Sequence, residues 1–154
     1  MDGRLMRRGS QYRTLLQALS GAARLFAMPI ASAGASIILG DRKAATRTAS
    51  SFQGDPTALE AFVNHVHLDD LLGGLPLSTD GAREALVALG RALVEVYAER
   101  ARPFLGGREL IFYLGGRDTV SLRFHVFRGS EEAWARLDDA DFLEQERCEV
   151  IRIK

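Results

Sequence analysis

Two imidazoles and two carboxylates fall within six residues of this chain, at His65, His67, Asp69 and Asp70. Side chains of these kinds ligate borderline divalent ions, so His65, His67 and Asp69 form a candidate set for a metal such as zinc or manganese. The backbone decides whether they can act together. In an extended segment alternate residues point the same way, and all three could chelate one ion. In a helix they diverge by roughly 200° per pair, and only His65 and Asp69 remain neighbours. Upstream, Asp55-Pro56 reads as an N-cap followed by proline at the first helical position. Leu59, Phe62, Val63 and Val66 then make one apolar stripe at helical spacing. That stripe predicts a helix through at least His65, with splayed imidazoles, and weighs against a metal centre.

The H-x-H-x-D spacing resembles the metal-binding start of the metallo-β-lactamase superfamily, whose pattern continues with a second histidine. Here Asp70 stands in that place, and the likeness covers six residues of 154. His125 is the only later histidine. It sits beside Arg123 and Ser121 on an expected strand and could serve as a general base if Glu109 approached it. No G-x-S-x-G elbow, P-loop, G-x-G-x-x-G fingerprint or cysteine pair occurs. Gly-Gly pairs at 73–74, 106–107 and 115–116 each fall where a turn is expected. No catalytic set is assigned, and no cofactor is expected outside the metal alternative.

Charge is the remaining chemical signal. The net charge is zero, yet residues 1–48 carry eight basic against two acidic side chains, and residues 131–149 carry eight acidic against two basic. The acidic stretch interleaves Trp134, Leu137, Phe142 and Leu143 with its acids. The apolar residues are expected to anchor short helices, leaving Glu131, Glu132, Asp138, Asp139, Asp141 and Glu144 as an exposed ridge. Such a ridge suits a protein partner with a basic surface, because complementary charge raises on-rate and selects partners. Small immunity proteins that neutralise toxins are similar in architecture only. The expected function is therefore a non-enzymatic protein-binding module. Two alternatives stand beside it: a small metal-dependent enzyme built on His65, His67 and Asp69, and nucleic-acid binding through the basic arm RLMRRGSQYR, with Tyr12 stacking on a base.

The elements that must position these groups follow from length and pattern. A chain of 154 residues with 47% apolar content can bury a core without disulfides. Its single cysteine, Cys148, leaves no intrachain disulfide to form. Residues 1–9 read as a flexible basic tail, with the single α+β domain over 10–154. A helix is expected from Gln11 to Ala27, where Leu15, Leu19, Ala22, Ala23 and Phe26 fall at spacings of three and four. Ser36–Leu39 could be a short strand, and 42–54 is loop-like in composition. A long helix follows Asp80, closed by Pro103 and Gly106-Gly107. RELIFYL, GGRD and TVSLRFHVFR then form a hairpin. An odd-length loop there gathers Leu110, Phe112 and Leu114 with Val120, Leu122, Phe124 and Val126 on one face. The other face receives Glu109, Tyr113, Ser121, Arg123 and His125. Short acidic helices and a terminal strand complete an α+β fold, helices packed on a small antiparallel sheet. Arg24 interrupts the only signal-like stretch, and the longest uncharged run, Leu25–Gly40, has sixteen residues against the ~20 that span a bilayer. A cytoplasmic protein without a membrane partner is expected.

Overall fold

A computed structural model describes residues 3–73, 76–79, 81–129 and 139–154, with backbone only for 3–12. The chain is α+β. Helix α1 (Gly3–Ala27) leads into a hairpin of β1 (Ile30–Ala33) and β2 (Ser36–Leu39), then α2 (Arg42–Thr48) and a 3₁₀ turn over Ala49–Phe52. Helix α3 (Pro56–Val63), strand β3 (His65–His67) and a second 3₁₀ turn (Asp69–Leu72) precede the long helix α4 (Ala82–Leu105). Strands β4 (Leu110–Gly115) and β5 (Ser121–Val126), the short helix α5 (Ala140–Gln145) and strand β6 (Cys148–Ile153) complete it. The last four strands form an antiparallel sheet in the order β3-β5-β4-β6, while β1 and β2 pair only with each other.

The hairpin register follows the expected parity. Leu110 faces Val126, Phe112 faces Phe124 and Leu114 faces Leu122. Residues directly opposite in an antiparallel pair share a face. These six, with Val66, Val120, Leu93, Tyr97 and Ala101, are buried between the sheet and α4. Helix and sheet touch closely at Gly90, where a Cβ would collide with Leu114 Cδ1 and crowd Leu68 Cδ1. Arg91 of α4 also reaches Glu149 of β6 at 2.9 Å.

Several expectations change. Helix α1 begins at Gly3 rather than Gln11, so the basic arm of residues 3–9 is helical in its backbone. Leu15 and Leu19 of the apolar row are 55% and 57% exposed, because α1 turns Gly21 toward Leu71 instead. Residues 42–52, expected as loop, form α2 and a 3₁₀ turn, with the Asp41 carboxylate accepting from Lys43 N as a cap. Helix α4 runs through Pro103 to Leu105 and stops at left-handed Gly106, so the expected glycine pair closes it and the proline does not. The cap expected at Asp80 lies outside the described residues.

Helix α3 holds the two sheets together through a polar seam. Glu60 and Asn64, four apart and both fully buried, point to the same side of the helix. Glu60 Oε1 accepts from Ile37 N at 2.7 Å and Oε2 from Val126 N at 2.8 Å. Asn64 Oδ1 accepts from Leu39 N, and its Nδ2 donates to Ile37 O and Phe124 O. Two side chains thus replace a strand along the outer edge of β2 and along the end of β5 that β3 does not reach. Arg128 closes the seam by donating to both Glu60 oxygens and to Thr57, Val126 O and Ala35 O.

Among the described residues, no helix is long and apolar enough to cross a membrane.

Candidate functional site

The sheet face turned away from α4 collects the polar groups. The registers place His65 opposite Arg123, Arg123 opposite Tyr113, and Tyr113 opposite Val150. One row along, His67, Ser121, Gly115 and Cys148 line up. The hairpin's expected second face is therefore present, extended by two histidines and a thiol that its own sequence could not announce.

The histidines arrive there because α3 does not continue. The stripe predicts helix through His65; instead Asn64 leaves helical geometry at φ −89°, ψ 39°, and the chain enters β3 at His65. The buried Asn64 side chain explains the break. Its three hydrogen bonds to β2 and β5 fix that residue where its backbone can also hand Phe124 N its acceptor. The imidazoles consequently lie side by side, ring centroids 4.4 Å apart.

Their hydrogen bonding defines what they can do. Arg123 Nη2 lies 2.9 Å from His65 Nδ1. A guanidinium only donates, so Nδ1 accepts and Nε2 carries the proton. The ring's one lone pair is then occupied by Arg123. Burial, with the charges of Arg123 and His67 beside it, lowers the His65 pKa from 6.5 to about 4. His67 Nδ1 stands 3.9 Å from Asp69 Oδ1, but that carboxylate oxygen also faces Val120 N at 3.3 Å. Among the described residues, no three histidine, cysteine or carboxylate side chains converge as a metal-holding group. His65 and His67 thus stand on β3 while Asp69 opens the 3₁₀ turn that follows, and the three do not form one chelate.

His125 is buried and engaged at both nitrogens. Nδ1 lies 3.1 Å from Val126 O and must donate to it, so Nε2 accepts from Tyr113 Oη at 3.1 Å. Its ring stacks on Tyr113. Glu109, its expected carboxylate partner, instead meets Lys154 at 3.2 Å. The Cys148 thiol is pushed up by burial, then by Glu146 and Glu149, which keeps it from ionising.

Helix α5 lies over this face. Phe142 and Leu143 line a pocket of about 140 Å³ with Tyr113, Ser121, Arg123 and Cys148. Of the six acids expected in a ridge, Asp139 is the N-cap of α5, its carboxylate accepting from Phe142 N at 2.9 Å. Asp141 and Glu144 lie on the exposed side of the same helix. Glu131, Glu132 and Asp138 fall outside the described residues. Sequence reasoning missed Glu60, Asn64 and Arg128; the one signal was a carboxylate and an amide embedded in an apolar helix.

No protein-family model, curated protein or solved structure matches this chain.

Proposed function

We propose that this protein is a non-enzymatic binding module that acts in the cytoplasm and holds a basic protein surface against the outer side of α5. The supporting observation is the segregation within that single helix. Phe142 and Leu143 turn to the sheet, while Asp141 and Glu144 stand exposed, three residues apart, in no ion pair among the described residues. Carboxylates held on a docked helix present negative charge in a fixed place, which steers a cationic partner and fixes its register. Neutralising such a partner, in the manner of an immunity protein, is the biological role this reading implies. The engaged nitrogens of His65 and His125 favour it over chemistry on the same sheet face.

The test uses Asp141→Lys and Glu144→Lys together. Both positions are exposed, and Asp139 is left intact as the cap. Calorimetric titration with an arginine-rich peptide at low and physiological salt should show binding by the natural chain, and weaker, less salt-sensitive binding by the double variant. Equal affinity of the two proteins, or no binding by either, would sink the proposal.

A further inference from the structure

Helix α1 packs Leu25 and Phe26 against the core but leaves three leucines in solvent. Leu15, Leu16 and Leu19 are 55%, 66% and 57% exposed, while Gly21 is buried against Leu71, and Thr14 and Leu25 are half-buried toward the domain. The helix sequence holds five arginines, Arg4, Arg7, Arg8, Arg13 and Arg24, and no acid. Between Arg13 and Arg24 lie ten residues without charge, and the three leucines belong to that stretch. Exposed leucines cost free energy in water unless something covers them.

The charge pattern selects the cover. A second copy would bring the same arginines again, with no carboxylate on either helix to meet them. Three leucines also supply less than half of the ~800 Å² per partner that a stable dimer buries. A nucleic acid would answer the arginines but leave the leucines in water. An anionic lipid surface answers both, because headgroups attract the guanidiniums while leucines enter the acyl boundary. We propose that α1 is an interfacial helix that lays Leu15, Leu16 and Leu19 onto the anionic leaflet of a membrane. Lying on a surface needs neither the length nor the continuous apolarity that crossing needs, so this departs from the expectation of no membrane partner while keeping the absence of a spanning helix among the described residues. It does not depend on the acidic side of α5.

The experiment is co-sedimentation of the full chain with phosphatidylglycerol-containing vesicles and with pure phosphatidylcholine vesicles. The natural chain should partition to the anionic vesicles and be released by salt. Leu15→Ser, Leu16→Ser and Leu19→Ser combined should weaken that partitioning by ~tenfold or more. Arg13→Gln with Arg24→Gln should weaken it as well. Circular dichroism checks that each variant keeps its fold, and Leu16→Ala with Leu19→Ala serves if the triple variant does not. Vesicle binding that ignores the leucines overturns the proposal, as does absence of vesicle binding. Retention on duplex DNA unchanged by the leucine variants, without vesicle binding, assigns the helix to nucleic acid. A dimer lost in the same variants, without vesicle binding, assigns it to a second copy.

Discussion

Glu60 and Arg128 meet in a two-pronged contact, Nη2 to Oε1 at 2.7 Å and Nη1 to Oε2 at 2.9 Å. The Glu60 side chain is fully buried and that of Arg128 is 11% exposed. A buried ion pair can often be exchanged for apolar residues at little cost, but here the carboxylate also satisfies Ile37 N and Val126 N. Glu60→Ala should therefore destabilise by about 3–5 kcal/mol. Glu60→Met with Arg128→Met should remain destabilised, because two main-chain donors stay unsatisfied. Urea denaturation checks both; a double variant as stable as the natural chain would show that the seam is only an ion pair.

The His65 ring should make stability depend on pH in one window. Its folded pKa is about 4 against 6.5 unfolded, so between those values the unfolded chain binds more protons. Stability then falls as pH drops from 6.5 toward 4, and this contribution is flat above 6.5. His65→Gln keeps an acceptor for Arg123 without titrating, and should lose less stability over the same interval. Urea midpoints at about pH 7 and about pH 5 give the comparison, and the ring's proton resonance should stay untitrated until near pH 4.

Gly90 lets α4 lie close to the sheet. Alanine would improve helix propensity by about 1 kcal/mol, yet its methyl displaces Leu114, which is 1% exposed. Overpacking of this kind costs about 1–3 kcal/mol. Gly90→Ala should lower the melting temperature slightly and Gly90→Val markedly. A Gly90→Ala protein more stable than the natural chain would mean the contact relaxes freely.

Arg123 should suppress metal binding by the histidine pair. It occupies the His65 lone pair, so zinc must displace a hydrogen bond to bind there. Arg123→Leu frees Nδ1 and should raise zinc affinity, while His65→Ala in that background should remove the gain. Calorimetry with zinc chloride reads both. Equal affinity with and without Arg123 would show that the guanidinium does not control the ring.

The hairpin was legible because alternation over two long strands leaves one loop parity that separates apolar from polar, and Leu110, Phe112 and Leu114 obey it. The strand at His65–His67 was not. Its cause is Asn64, whose bonds to Ile37, Leu39 and Phe124 depend on residues 25 to 60 positions away that no local spacing reveals. The α3 stripe holds at Leu59 and Val66, both buried, and misled at Phe62, which is 61% exposed while Glu60 is buried, since the seam rotates the helix toward its polar partners. In α1 the apolar periodicity was correctly seen, but periodicity states which residues share a side and not whether that side meets the domain. The acidic charge of 131–149 was legible, but of the six acids expected in a ridge only Asp139, Asp141 and Glu144 fall among the described residues, Asp139 as a helix cap and the other two exposed.

The side chains that line the rim of β2 also have a consequence for self-assembly. A naked strand border invites templated growth into ribbons, and here Ile37 and Leu39 offer no unsatisfied amide to a newcomer because Glu60 and Asn64 hold both. Fibril resistance on this flank is thus encoded by a helix rather than by lysine or proline on the strand itself.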